Sequence, residues 1–191
     1  MPGISMRNRD SYANTSTAVQ NYDFGADRLT TILNMADDAI PALQALDHEN
    51  HILFLTPTTP QTHQYDYLSF VAPTVSTYHK SVLCMDYTPP PNSNKYLPFD
   101  NRHADALANP NCAGVIVVIR GDEKEGGAGR RGTSMDFARK VWEEIGGGAE
   151  MPGLLIEVGG SRRGVGDWRT ILWTEDMDGL EDLAHMVFGA R

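Results

Sequence analysis

The sequence predicts a three-layer α/β domain, Rossmann-like and flavodoxin-like, with helices on both faces of a central, mostly parallel sheet of about five strands. Short apolar runs rich in β-branched residues alternate along the chain with segments of helical periodicity. Several of these runs are apolar at successive positions, which is typical of strands buried on both faces. Glycine- or proline-rich segments follow the strands. Together these observations indicate strands joined through helices, and hence a parallel sheet.

Five apolar runs are predicted as strands, and the segments between them supply the helices. The strands are residues 51–57, 81–87, 112–120, 153–158 and 169–174. Apolar residues at helical spacing predict helices within 25–46, 61–71, 103–108, 134–145 and 178–188. Pro41 divides or kinks the first of these, and the glycines at 146–148 end the fourth.

The length of 191 residues suits one full-sized domain. Residues 1–20 are polar and poor in large apolar side chains, which predicts a flexible N-terminal arm that orders only against a partner subunit. Residues 21–191 form the single α/β domain. The arm leads us to expect a homo-oligomer.

The charge of the chain excludes some classes of partner. A net charge of -9 argues against nucleic acid and against an anionic membrane surface. No apolar run reaches the length of a membrane span, and the first residues lack the apolar core of a signal peptide. Two cysteines in predicted strands indicate reduced core residues. We therefore expect a cytoplasmic protein.

Segments that follow strands carry most of the candidate site residues. They are residues 56–60, 86–95, 120–133 and 159–167, and in parallel sheets ligands bind outside the carboxyl ends of the strands. Thr56, at the end of the first predicted strand, is a substrate-binding candidate. Asp86 either anchors ribose hydroxyls or a base edge, or caps its own loop, and Tyr87 contacts the ligand beside it.

The segment from 121 to 133 combines glycine and arginine before a predicted helix. Thr133 is expected to cap that helix and Asp136 to lie in its first turn, where the helix dipole stabilises a carboxylate. Gly129 and Gly132 allow the backbone to approach a ligand. Four arginines in two loops either bind a 5'-phosphate or balance nearby acids; they are Arg130, Arg131, Arg162 and Arg163.

Three known motifs are disfavoured. Glycines at 127, 129 and 132 spell G-x-G-x-x-G, but the segment follows a late strand and no ribose-binding acid lies at the required distance downstream. The histidines lack the spacing of metal ligands, and no G-x-S-x-G is present. We therefore expect neither a cofactor nor a metal.

Residues 104–158 resemble the nucleoside 2'-deoxyribosyltransferase family. The resemblance lies in an apolar strand at 113–119, a variable loop, a Gly-Thr helix start at 132–139 in place of the family's G-T-x-x-E, and a strand that follows Pro152. It implies that Asp136 is the nucleophile that attacks the anomeric carbon and displaces the base. The protein is then a hydrolase or transferase acting on the N-glycosidic bond of a nucleoside or nucleotide.

Other interpretations stay open. The stretch 126–133 is also similar to the P-G-G-x-G-T-x-x-E loop of cytokinin-activating phosphoribohydrolases, which would fit a nucleoside monophosphate. A non-catalytic nucleotide-binding or sensing module would keep the loop and lack the chemistry. A structural or assembly protein would use the N-terminal arm and the proline-rich segment 88–95 as contact surfaces.

Overall fold

The computed structural model describes ten segments of the chain. They are residues 20–23, 29–34, 39–47, 49–58, 81–88, 98–120, 128–148, 151–160, 168–175 and 179–188. Seven strands lie in them: β1 (Gln20–Asp23), β2 (Leu29–Asn34), β3 (His51–Pro57), β4 (Val82–Tyr87), β5 (Cys112–Arg120), β6 (Gly153–Val158) and β7 (Ile171–Thr174). Four α-helices accompany them: α1 (Ala39–Gln44), α2 (Asn101–Leu107), α3 (Ala128–Glu144) and α4 (Gly179–Phe188).

All seven strands form one sheet in the order β1-β2-β7-β6-β5-β3-β4. The last five in this order are parallel to one another, whereas β2 runs antiparallel to β7 and β1 antiparallel to β2. The five predicted strands are therefore confirmed as a parallel sheet. An antiparallel hairpin extends that sheet along β7.

Helices cover both faces of the parallel sheet, which confirms the predicted three-layer fold. On one face, side chains from α1 and α4, among them Leu43 and Leu183, pack on Phe54, Ile116 and Ile156. On the other, α2 and α3 contribute a second cluster that includes Leu107, Phe137 and Val141. Successive residues of a strand point to opposite faces. This is why β3, β5 and β6 are apolar at nearly every position, as doubly covered strands are.

The predicted helical region 25–46 is wrong in its first half. Residues 29–34 form β2, which pairs with the outer edge of β7 through Thr30, Thr31 and Ile32. β-Branched residues at successive positions favour a strand once a partner edge exists. Helical structure begins only at Ala39, and Pro41 lies in its first turn, where the missing N–H costs no hydrogen bond.

The glycines after α3 end the helix as predicted. Gly146, Gly147 and Gly148 have φ of 61°, 66° and 77°, a region that side chains disfavour. A Cβ at Gly148 would also lie 2.7 Å from the ring of Trp142. The chain turns there towards β6.

Other predicted elements differ only at their ends or lie outside the described segments. β4 and α2 match the predicted 81–87 and 103–108 within two residues at each end. The predicted helix at 61–71 lies outside the described residues. Within the described segments, no helix combines the length and the apolar character needed to cross a bilayer.

Asp100 is the N-cap of α2. Its carboxylate accepts hydrogen bonds from the backbone N–H groups of Arg102 and His103, at 3.0 and 3.4 Å, while Nδ1 of His103 accepts from the Asp100 N–H at 3.1 Å. This reciprocal pair is a capping box. The Arg102 side chain also donates to Asp100 at 3.0 Å, and this hydrogen bond lowers the pKa of the Asp100 carboxyl.

We expect Asp100→Ala to lower the free energy of unfolding by about 1 kcal/mol near pH 7, because alanine cannot cap the helix. Asp100→Asn keeps the cap and removes the charge. Because the folded-state pKa lies below the ordinary 3.8, the carboxylate stabilises the fold above pH 3.8, and this contribution is lost as the pH falls through the folded-state value. Urea unfolding at several pH values should show a smaller acid-side loss for Asp100→Asn than for wild type. Equal losses would contradict the assignment.

Candidate functional site

The strand order reverses between β3 and β5. The chain runs from β3 outward to β4 and then crosses back to β5, on the other side of β3, before continuing to β6 and β7. Among the five parallel strands this is the 2-1-3-4-5 order of flavodoxin-like sheets, whose ligands bind at the carboxyl edge where the order reverses. The residues that end β3, β4 and β5 therefore border the candidate site.

Pro57 interrupts the hydrogen bonding between β3 and β5 near the carboxyl ends of the two strands. The β3–β5 register pairs Leu55 with Val117, and continuing it makes the backbone nitrogen of residue 57 the partner of the Val118 carbonyl. Proline has no N–H to donate. The hydroxyl of Tyr87 takes its place, reaching from β4 across β3 to donate to the Val118 carbonyl at 2.8 Å. The ladder between β3 and β5 thus ends one step before the strands do.

Four oxygen-bearing side chains lie together where β3 and β4 end. Thr56 is the register partner of Asp86, and the Thr58 N–H continues the ladder by donating to the Tyr87 carbonyl at 2.8 Å. The hydroxyls of Thr58 and Thr88 are 2.7 Å apart. Alternation places all four on one face of the sheet. We call Thr56, Thr58, Asp86 and Thr88 the oxygen block.

The oxygen block follows apolar residues on the same face. Phe54 precedes Thr56 and Cys84 precedes Asp86 at the spacing of two residues, and both pack against the α1 and α4 layer. Thr56 is buried, whereas Asp86 and Thr88 are exposed. The block therefore runs from the core to solvent.

Sequence reasoning named Thr56 and Asp86 but missed Thr58 and Thr88. Their signal was the period of two, which continues past the strand ends.

His103 connects the end of β4 to α2. Its ring is buried, with Nε2 3.2 Å from the Asp86 carbonyl and Nδ1 2.8 Å from an Asp100 carboxylate oxygen. The ring also meets Phe137 edge-on, with centroids 5.2 Å apart. The contacts with Asp100 and Phe137 fix the ring, and the contact of Nε2 with the carbonyl holds the backbone of Asp86. Sequence reasoning missed this role because the two residues are brought together only by the fold.

Asp136 is not in the first turn of a helix. α3 begins at Ala128, so Asp136 lies in its third turn, out of reach of the positive end of the helix dipole. Its side chain is 49% exposed and forms an ion pair with Arg139 at 2.9 Å. The next residue, Phe137, is the one that faces the sheet. The geometric reason for choosing Asp136 as nucleophile was therefore wrong.

The predicted loop at 129–133 is helical. Gly129, Arg130, Arg131, Gly132 and Thr133 belong to the first two turns of α3, so Thr133 does not begin the helix. Glycine lowers helix propensity, but in proteins tertiary packing supplies most helical stability, and α3 is anchored to the sheet further along. Arg162 and Arg163 lie outside the described residues.

Tyr87 belongs to the core and not to the ligand edge. Its side chain is buried, its ring stacks on Phe137 with centroids 3.8 Å apart, and its hydroxyl is bonded to the Val118 carbonyl. Its predicted contact with a ligand is replaced by a structural role. The aromatic ring favours such burial once a hydrogen-bond acceptor is within reach of the hydroxyl.

Two further ionisable groups are buried in the sheet, outside the oxygen block. Glu157 is buried in β6 between its register partners Ile119 and Trp173, a placement that the apolar strand pattern did not predict. Burial raises the pKa of the Cys112 thiol, which lies at the amino end of β5, away from the candidate site. Among the described residues, no group of three or more His, Cys, Asp or Glu side chains is placed to hold a metal.

No known protein family matches the chain, and neither does any curated protein. Among solved structures it is similar to one titled "A unique GCN5-related glucosamine N-acetyltransferase region exist in the fungal multi-domain GH3 beta-N-acetylglucosaminidase", with a TM-score of 0.56 and 13% sequence identity. The match covers 85% of this chain and 16% of that one. The chain thus spans about a sixth of the length of that protein, and at this identity the similarity is one of fold.

Proposed function

We propose that the protein binds a nucleoside or nucleotide at the carboxyl edge of its parallel sheet, beside the ends of β3 and β4. The observation that carries the proposal is the reversal of strand order between β3 and β5, the position where flavodoxin-like sheets bind their ligands. The oxygen block adds polar groups at that position, and Asp86 and Thr88 are exposed there.

The resemblance of residues 104–158 to the nucleoside 2'-deoxyribosyltransferase family supports a nucleoside as the ligand. Most of α2, then β5, α3 and β6, follow one another through this stretch, and the family's motif has the same order of a helix, a strand, a variable loop, a helix and a strand. The acidic net charge favours a small ligand over a nucleic acid.

Cleavage or transfer of the N-glycosidic bond is the second candidate function. It rests on the same resemblance, which makes Asp136 the nucleophile. In glycosyl chemistry a carboxylate must lie next to the anomeric carbon to attack it, whereas Asp136 is paired with Arg139 on an exposed side of α3. The geometry therefore favours binding without catalysis as the primary function.

The experiment combines binding with product analysis. The full chain is titrated calorimetrically with nucleosides and with their 5'-monophosphates, and parallel incubations are analysed for free base by chromatography. We expect heat of binding and no free base. Release of base by wild type that is lost in Asp136→Asn would establish the enzyme instead, and release that persists in the variant would remove Asp136 from the mechanism.

The same preparations test the assembly alternative. A homo-oligomer remains part of our proposal, and its mass is measured by light scattering at several concentrations. If the protein bound none of the nucleosides or monophosphates yet formed a large oligomer whose size did not change on dilution, a structural role would replace the binding function.

A further inference from the structure

The hydrogen bonds within the oxygen block decide what kind of ligand group it accepts. The Thr58 hydroxyl donates its proton to the Tyr87 carbonyl at 3.2 Å. Because a hydroxyl has one proton, Thr88 must be the donor and Thr58 the acceptor in the 2.7 Å hydrogen bond between their hydroxyls. Both hydroxyl protons are used inside the protein. Thr58, Thr88 and Asp86 therefore present a set of acceptors to a ligand, namely the remaining lone pairs and the Asp86 carboxylate, while Thr56 is buried behind them.

An acceptor surface with a negative charge repels phosphate and attracts groups that donate hydrogen bonds. Asp86 is exposed at the carboxyl end of β4. An ionised carboxylate makes stronger hydrogen bonds than a neutral acceptor and can accept two at once. Two neighbouring hydroxyl groups on a sugar ring match this arrangement.

We propose that the oxygen block binds the 2'- and 3'-hydroxyls of a ribose, with Asp86 as the principal acceptor, so that the site selects ribonucleotides over 2'-deoxyribonucleotides. This inference rests on the proposed nucleoside- or nucleotide-binding function. The phosphate of a nucleotide is placed away from Asp86 by charge repulsion. His103, bonded to the Asp86 carbonyl, is a positioning residue that fixes the backbone from which the carboxylate projects.

The test measures selectivity and not merely affinity. The four ribonucleoside 5'-monophosphates and their 2'-deoxy counterparts are titrated into the full chain by calorimetry. We expect wild type to bind its preferred ribonucleotide about tenfold or more tightly than the deoxy form, because a hydrogen bond to a charged group is lost. Asp86→Asn should remove most of this difference, because it weakens two hydrogen bonds to the ribonucleotide and only the 3'-hydroxyl bond to the deoxy form.

Asp105→Asn is the matched control, since Asp105 is an exposed carboxylate on α2 and the change in net charge is the same. It should retain the selectivity of wild type. His103→Gln should reduce the selectivity between the ribo and deoxy forms by lowering the ribo affinity more than the deoxy affinity, whereas a purely structural role would lower both affinities by the same factor.

The outcomes separate this inference from the function on which it rests. If monophosphates bind but ribo and deoxy forms bind equally, and Asp86→Asn changes neither, the oxygen block does not bind the sugar and the proposed binding function stands. If Asp105→Asn loses selectivity as Asp86→Asn does, the effect is one of net charge and the assignment is overturned. If no monophosphate or nucleoside binds, both proposals fail.

Discussion

Phe137→Ala should lower the free energy of unfolding by about 3–5 kcal/mol, as expected for truncating a fully buried aromatic side chain. Phe137 is at the centre of an aromatic cluster: it stacks on Tyr87, meets His103 edge-on and contacts Phe99 with ring centroids 5.9 Å apart. The variant would leave a cavity between α3, β4 and α2. Urea unfolding followed by tryptophan fluorescence and circular dichroism measures the loss.

The adjacent residue supplies the control. Asp136→Asn should change the stability by less than about 1 kcal/mol, because an exposed ion pair contributes little. The two substitutions test the phase of α3, since neighbouring residues on a helix point in directions about 100° apart. A large loss for Asp136→Asn with a small one for Phe137→Ala would mean that α3 presents a different face to the sheet.

Tyr87→Phe should lower the free energy of unfolding by about 1–3 kcal/mol. The substitution leaves the ring on Phe137 and removes only the hydroxyl that serves the Val118 carbonyl. Because Pro57 cannot donate to that carbonyl, removing the Tyr87 hydroxyl leaves the Val118 carbonyl without this hydrogen bond. An unsatisfied buried acceptor has a cost of that order. Chemical denaturation of wild type and variant side by side gives the difference.

A second substitution at the same position tests the stacked ring of Tyr87. Tyr87→Leu removes the hydroxyl and the stacked ring, so its loss should exceed that of Tyr87→Phe. A stability for Tyr87→Phe equal to that of wild type would show that the Val118 carbonyl finds another donor. The role that we assign to Pro57, which is to leave the Val118 carbonyl without a backbone donor, would then be wrong.

Strands buried on both faces were predictable to within one or two residues. The bounds of β5 follow from nine successive residues that are nearly all apolar, and those of β6 follow in the same way. β2 was not predictable, because Leu29–Asn34 carries apolar residues at spacings that fit a helix as well as a strand. The exposed edge of β7 decides between the two, and that edge exists only in the folded sheet.

The sequence was enough to predict that the candidate site lies at the carboxyl edge of the sheet, but it was not enough to predict which side chains line it. That loops after parallel strands meet at one edge follows from topology, and Thr56 and Asp86 were found in this way. Asp136 was misplaced because glycine propensity put the start of α3 about two turns too late, and the dipole effect of a helix N-terminus does not extend beyond the first turn. Thr58 and Thr88 were missed because strand alternation was not followed past the strand ends.

By itself the sequence determined the alternation of elements, the parallel sheet and the edge at which the candidate residues after β3 and β4 lie, because hydrophobic periodicity and glycine-rich connections are local properties of the chain. Only the tertiary structure decided which side chains meet at that edge. The contacts of Tyr87 with Val118 and of His103 with Asp86 join residues 31 and 17 positions apart. Such contacts depend on strand order and helix phase, which the packing of the whole sheet determines.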